Sequence, residues 1–567
     1  MNLNYRLINN LVWAGGFGEM QKLRAACSFP ESAQEKTLRN ILASASETVY
    51  GKEHHFSEII SAKTDADMIQ LFRRNVPPVE YEDLRPYVKR MMSGEADVLF
   101  AGKPVFYATT SGSTGDPKYI PFSQTYKENV YGRMSRLMLF IFRKFRKQVF
   151  SGYLFSVVGK AVEGRTPDGT VYGSVSSLMQ RSAPKFMRDI YAVPNEVYEI
   201  EDYGARNYTL MRFAIEKNVT LWVAPNPSTV LELQNNVDQW LDDFIEDIGN
   251  GTLSDRIPVP EGIRAALKKY LKPNPERAFE LRRLQTMNER VLPRHYWPEL
   301  QIVSTWKCGN TQIYLKRMSQ FFRYTVFHQE LGYFASECRA GLTLDGSNES
   351  VPMPHMHFYE FKREKDLKDP EAPFLLLNEL KEGERYCPFI TTDSGLYRYN
   401  MNDIVQVSSP YLNTPRLHMV QKVNGIVSIT GEKLYEDQFI KAVDMAQAAT
   451  GKTLVYYSGY VNLSESRYDW YFEFKDRKIK QKDAEAFAKI VDDNLKNLNI
   501  EYESKRNSFR LKNPAVFLLE PNTFDKFKAY ILGKTHRDAS RFKPNVLAQN
   551  EEIHNVINRF ILRRRKR

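Results

Sequence analysis

Apolar residues recur at helical spacing through the first part of the chain. Leu7, Leu11 and Val12, and later Met68, Leu71 and Phe72, predict helices over residues 1 to about 75. Asn75-Val76-Pro77-Pro78 breaks the run, and Tyr81-Glu82-Asp83-Leu84-Arg85-Pro86 opens another helix. Residues 97–110 read as extended chain entering a glycine-containing loop, and amphipathic helices return over 124–148 and 206–248. Short apolar runs at 219–224, 300–304, 374–377 and 403–407 read as buried strands between them. Alternating strand and helix signals argue for an α/β class. After Ser408-Ser409-Pro410 and the segment from Met419 to Thr430 the pattern resets. A helix at 435–448, strands at 453–461 and 468–474, a helix at 482–496 and strands around 508–518 form an α+β unit large enough to fold alone. The predicted division is a large N-terminal domain of mixed sheets and helices over 1–425 and a smaller C-terminal domain over 426–567.

Composition narrows the class. A chain of 567 residues exceeds what one core organises, and 42% hydrophobic with 26% charged residues is an ordinary globular balance. Lys and Arg number 80 against 68 Asp and Glu, a net charge of +12. The densest basic run, Arg563 to Arg567, follows a helical segment, where cations favour the negative end of the helix dipole. Basic and aromatic residues do not interleave as a base-stacking platform would require, so no nucleic-acid partner is expected. The four cysteines, Cys27, Cys308, Cys338 and Cys387, form no CxxC pair, which fits reduced thiols in a cytoplasmic protein. Met1 to Met20 does not read as a signal peptide, and no apolar run reaches the ~18 residues that suggest a membrane span. A monomer is expected.

The chemistry concentrates at Thr109-Thr110-Ser111-Gly112-Ser113-Thr114-Gly115-Asp116-Pro117-Lys118, where five hydroxyls and two glycines fall within seven residues. Small residues let main-chain N–H groups approach an anion closely, and Lys118 adds a point charge. A plain Ser/Thr/Gly turn is the alternative, but an ordered string closing on Asp-Pro-Lys after a strand is seldom a linker. It is not a Walker loop, because Tyr119 follows the lysine.

This string resembles the phosphate loop of the adenylate-forming superfamily of acyl-CoA synthetases, adenylation domains and luciferases. The superfamily's other segments follow in order. Gly332 to Glu337 resembles the motif whose aromatic ring lies against adenine (here Tyr333, with Ser336 beside the nucleotide) and whose Glu337 helps hold Mg²⁺. Gly395 to Asp403 resembles the segment whose terminal carboxylate, Asp403, accepts both ribose hydroxyls. Lys422 to Lys433 resembles the hinge to a mobile C-terminal lid, with Lys422 standing where an arginine usually assists the ribose. The resemblance sharpens at Val76-Pro77-Pro78-Val79-Glu80-Tyr81-Glu82-Asp83-Leu84-Arg85-Pro86, at Asn226-Pro227-Ser228, at His357 to Phe361, at Tyr397-Arg398-Tyr399, at Ser428 to Lys433 and at Phe542-Lys543-Pro544. These are similar to the plant auxin-responsive Gretchen Hagen family of acyl acid–amido synthetases.

The resemblance implies an enzyme that adenylates a carboxylic acid with ATP and Mg²⁺ and passes the acyl group to an amine, typically an amino acid. Thr110, Ser111, Gly112, Ser113, Thr114, Gly115 and Lys118 would cradle the phosphates, and Lys433 and Lys543 would stabilise charge at the α-phosphate. A coenzyme A thioester ligase and a non-catalytic nucleotide-binding protein are the alternatives. Two departures mark a distant member: the phosphate loop is one residue shorter than in plant members, and Met401-Asn402-Asp403 replaces Val-Gly-Asp. Auxin, jasmonate and benzoate are therefore not carried over as substrates. His355, His357 and Glu360 could suggest a metal site, but Glu360 falls on the opposite face of an extended chain, so a packed strand is expected there.

Overall fold

The computed structural model describes residues 3–561 apart from 111–116, 161, 309–314, 316–317, 368, 423–425, 525, 528–529, 531–545 and 549–550. The chain divides into two compact units, the first made of Met1–Thr110 and Lys118–Val423 and the second chiefly of Asn424–Arg567.

The first unit opens with helices, as the periodicity predicts: Leu3–Ser28, Pro30–Ala45, Val49–Glu53, Phe56–Ile60 and Asp65–Asn75. Their ends follow local chemistry. Pro30 occupies a first-turn position where its missing N–H costs nothing, and Thr64 Oγ1 accepts the Asp67 N–H at 3.1 Å. Helix Tyr81–Met92 begins with a reciprocal cap in which the Glu80 N–H donates to Asp83 Oδ2 at 2.8 Å.

Eight strands build two sheets: β1 (Phe106–Thr110), β2 (Lys118–Phe122), β3 (Tyr153–Ser156), β4 (Gly164–Arg165), β5 (Val171–Gly173), β6 (Val219–Val223), β7 (Ile302–Thr305) and β8 (Phe327–Glu330). The first sheet runs β2-β1-β5-β4, and β3-β6-β7-β8 is wholly parallel. A small pair, β9 (Gly341–Leu342) and β10 (Val351–Pro352), precedes an antiparallel sheet of β11 (Phe358–Arg363), β12 (Arg385–Thr391), β13 (Tyr399–Asn400), β14 (Asp403–Tyr411) and β15 (Thr414–Lys422). One core joins the N-terminal helices to the first and third sheets, and another fills the space around the parallel sheet.

The second unit carries β16 (Ile426–Val427) and β17 (Leu434–Tyr435) as a pair, then β18 (Leu454–Asn462), β19 (Arg467–Phe474), β20 (Ala515–Leu518) and β21 (Leu547–Ala548) in the order β20-β19-β18-β21. Helices Glu436–Thr450 and Gln481–Leu498 pack on this sheet around its own core.

Some expected elements differ. The helical stretch 206–248 is two helices, Tyr203–Ala214 and Pro227–Asn250, separated by β6. The stretch 124–148 contains a π-helical turn, Lys127–Gly132, before helix Arg133–Phe145. Residues 374–377 form no strand: Leu375 makes a single bridge to Phe361, because Pro373 beside it supplies no ladder donor. Before β20 lies an unexpected helix, Ile500–Asn507, capped by Asn499.

Candidate active site

The hydroxyl-and-glycine loop is flanked by an antiparallel hairpin whose last register pair is Thr110 with Lys118. Ser111, Gly112, Ser113, Thr114 and Gly115 themselves lie outside the described residues. β2 is an edge strand, and side chains bond its outer side, Ser394 Oγ donating to the Pro121 carbonyl at 2.6 Å. Tyr81 Oη accepts the Tyr119 N–H at 2.7 Å and donates to the Tyr119 carbonyl at 3.4 Å. The same ring faces two cations, Lys118 Nζ at 5.6 Å and the Arg85 guanidinium at 4.8 Å. The Val76–Pro86 stretch is thus a support for the strand that leaves the loop.

Beyond β8 the chain turns sharply. Gly332 has φ +115°, and a Cβ there would lie 2.5 Å from the Gly341 carbonyl oxygen, so glycine is required. The turn is tied by the Tyr333 N–H to the Gly341 carbonyl (3.1 Å) and the Ala340 N–H to the Tyr333 carbonyl (2.9 Å). Glu330, buried at its base, accepts the N–H groups of Gly332 (3.1 Å) and Lys307. Burial pushes its carboxyl above the usual range despite those bonds.

Tyr333 and Asp403 meet although 70 residues separate them in sequence. The Tyr333 hydroxyl donates to Asp403 Oδ2 at 2.7 Å, and the two residues are 8% and 2% exposed. Burial, then the Asp403 charge, pushes the Tyr333 phenol well above its ordinary range. Glu337 and Ser336 occupy the same turn, both half-buried. The Cys338 thiol is raised first by burial and then by the charges of Glu337 and Asp403.

Asp403 opens β14 opposite Lys422 of β15 in register, while the Lys422 side chain is not among those described. Asn402, just before it, has φ +53° and its N–H donates to Asn400 Oδ1 at 2.8 Å. Asparagine tolerates that left-handed conformation, so the turn into Asp403 forms without glycine. Arg398, at φ +47°, is locked by a buried network. Its Nε donates to Glu360 Oε2 at 2.7 Å and its Nη1 to the Val76 carbonyl at 2.8 Å, while Arg73 Nε reaches Glu360 Oε1 at 2.8 Å. The Val79 N–H donates to the Arg398 carbonyl at 3.1 Å, so the Val76–Pro86 stretch also braces the segment carrying Asp403.

In the second unit Lys433 is half-buried, its N–H donating to Glu501 Oε2 at 2.9 Å. Beside it Glu432, 0% exposed, accepts the N–H groups of Ile429 (2.9 Å) and Thr430 (2.8 Å) and the Tyr468 hydroxyl (2.6 Å). Lys543 lies outside the described residues.

The order of these segments matches one set of known sequences. The GH3 family N-terminal domain matches residues 19–326, its central domain 350–422 and its C-terminal domain 437–552. The chain belongs to the GH3 family. It is 26% identical to indole-3-acetic acid-amido synthetase GH3.15 of Arabidopsis thaliana over 94% of this chain and 93% of that protein. It is 25% identical to the jasmonoyl–L-amino acid synthetase JAR4 of Nicotiana attenuata over 73% of each. The solved structure of the AtGH3.15 acyl acid amido synthetase in complex with 2,4-DB superposes with a TM-score of 0.65 at 22% identity, covering 96% of both chains. The GH3 architecture of a large N-terminal domain and a smaller C-terminal one is therefore that of this chain.

Within this GH3 chain the first unit brings Tyr333 and Asp403 together, with Ser336 and Glu337 in the turn that carries Tyr333, while Lys433 belongs to the second. The histidines precede the strand rather than forming part of it: β11 starts at Phe358, and His357 Nε2 donates to the Arg339 carbonyl at 3.0 Å. Among the described residues no group of three or more His, Cys, Asp or Glu could hold a metal ion. Glu330 stands just before the Gly332–Glu337 motif and Glu432 lies inside Ser428–Lys433, yet no role for either is legible in the sequence; their bonds to main-chain N–H groups reveal it.

Proposed function

We propose that this GH3 protein is an ATP-dependent ligase that adenylates a carboxylic acid and transfers the acyl group to the amine of an amino acid, forming an amide. What carries the reading is the Tyr333–Asp403 hydrogen bond of 2.7 Å, with Glu337 in the same turn, in a chain with all three GH3 domains. Relatives named indole-3-acetic acid-amido synthetase and jasmonoyl–L-amino acid synthetase support the reaction class.

ATP is a substrate here. Its phosphates lie over Thr110 to Gly115 with Lys118 at the exit, its adenine near Tyr333 and its ribose on Asp403, with Lys422 assisting. The Tyr333 bond to Oδ2 fixes the carboxylate that must accept a diol. Glu337 would hold Mg²⁺, which is commonly bound through one or two carboxylates together with substrate phosphates and would supply neutralisation of phosphate charge. The acid's carboxylate oxygen attacks the α-phosphorus in line, pyrophosphate leaves, and Lys433 and Lys543 stabilise the charge developing there. The smaller domain, 426–567, acts as a mobile lid that shuts out water and then opens the amine site. A neutral amine attacks the acyl carbon, AMP leaves, and the amine's proton passes to solvent. The enzyme works as a monomer, and four free cysteines fit a reducing cytoplasm.

The test is ATP–pyrophosphate exchange across aryl and aliphatic acids, with mass spectrometry of products after adding mixed amino acids or coenzyme A. Acid-dependent exchange followed by an amide mass is expected. Exchange that ends only in a thioester, or ATP binding without exchange for any acid, would displace this reading.

A further inference from the structure

Two residues beyond Glu337 stands a guanidinium that meets no carboxylate among the described residues. Arg339 Nη1 donates to Ser135 Oγ at 2.9 Å, and its Cζ lies 4.5 Å from the centre of the Tyr131 ring and 4.9 Å from that of Phe334. Its main chain is held by a bridge to Phe334 and by the His357 bond to its carbonyl. Tyr126 and Tyr131, 0% and 1% exposed, carry hydroxyls that find no hydrogen-bond partner among the described residues.

A guanidinium has five N–H donors, and half-buried Arg339 places only one of them on a protein acceptor among the described residues. Two aromatic faces add attraction but no acceptor. A planar fork lying against flat rings is matched by a carboxylate held through two parallel N–H···O bonds. In the ligase reading the nucleotide's phosphates fall to Thr110–Gly115 and the lysines, and aromatic walls suit an organic anion better.

We propose that Arg339, with Ser135 and the Tyr131 ring beside it, is a receptor for a carboxylate belonging to one of the two organic substrates. This rests on the ligase reading. The carboxylate comes with the acid or with the amine, and the recognition chemistry is the same for both.

The experiment uses the full chain saturated with AMP and titration calorimetry of two pairs: benzoate against benzyl alcohol, and L-alanine against ethylamine. Wild type should prefer the carboxylate member of at least one pair by about tenfold, the worth of one charge-assisted bidentate contact. The pair that shows the preference assigns the receptor to the acid or to the amine. Arg339→Met should erase that preference, and Arg339→Lys, which keeps the charge but not the fork, should retain part of it. Ser135→Ala, a milder change, should weaken it should Arg339→Met fail to fold. No preference in wild type, or an undiminished preference in the variants, overturns the proposal. So does a fall in ATP affinity parallel to the fall in carboxylate affinity, which would make Arg339 a phosphate ligand or a structural residue. Wild type that binds neither ATP nor AMP would instead strike the ligase reading, while the same pairs without nucleotide still decide Arg339.

Discussion

At the scale of single residues, the 2.7 Å bond between Tyr333 and Asp403 makes one side chain the orienter of another. Tyr333→Phe keeps the ring and removes the bond, so ATP affinity should fall about fivefold to tenfold, a loss of ~1 kcal/mol, by calorimetry. Asp403→Ala should lose more, because the diol then has no acceptor. The paired histidines give a pH signature. Burial holds His355 at about 3 and His357 at about 4, against ~6.5 in an unfolded chain. Below that pH the unfolded state takes up protons that the folded state refuses, so stability falls as pH drops from ~6.5 towards 4. His357 alone accounts for ~3 kcal/mol over that window. Urea melts of His357→Gln should show a flatter decline between about pH 7 and 4.5, and an unchanged slope would contradict the burial argument.

At the scale of elements, the Val76–Pro86 stretch braces two neighbours at once. Arg398→Met strips Glu360 of its closest partner and leaves two main-chain carbonyls unbonded, so the first unit should lose ~3–5 kcal/mol in urea denaturation. Tyr81→Phe leaves the Tyr119 N–H at the edge of β2 without its acceptor, a loss of ~1–3 kcal/mol in the same assay. These contacts also show what a sequence can reveal. Helix starts, the strand before the hydroxyl-and-glycine loop and the order of the motifs are local, and periodicity and caps disclose them. Residues 374–377 read as a strand because four apolar positions look alike in a strand and in a packed loop. The bonds joining Tyr333 to Asp403, or Arg398 to Glu360 and Val76, span tens to hundreds of residues and leave no linear trace. Asn402 was visible only as a departure from glycine; its positive φ explains why that departure is harmless.

At the scale of the whole molecule, two units with separate cores divide the proposed work. Lys433→Ala and Lys543→Ala should cut acid-dependent pyrophosphate exchange at least tenfold while both variants still melt as wild type does, a prediction that ordinary surface lysines would not meet. The placement of Cys338 has an experimental use. Its thiol is 0% exposed and held in the protonated form by burial and by Glu337 and Asp403, so it resists alkylation while the turn stays shut. In a chain whose other three cysteines are changed to alanine, the rate of iodoacetamide labelling becomes a clock for how often this part of the molecule breathes. A nucleotide that seals the turn should slow that clock in proportion to its occupancy.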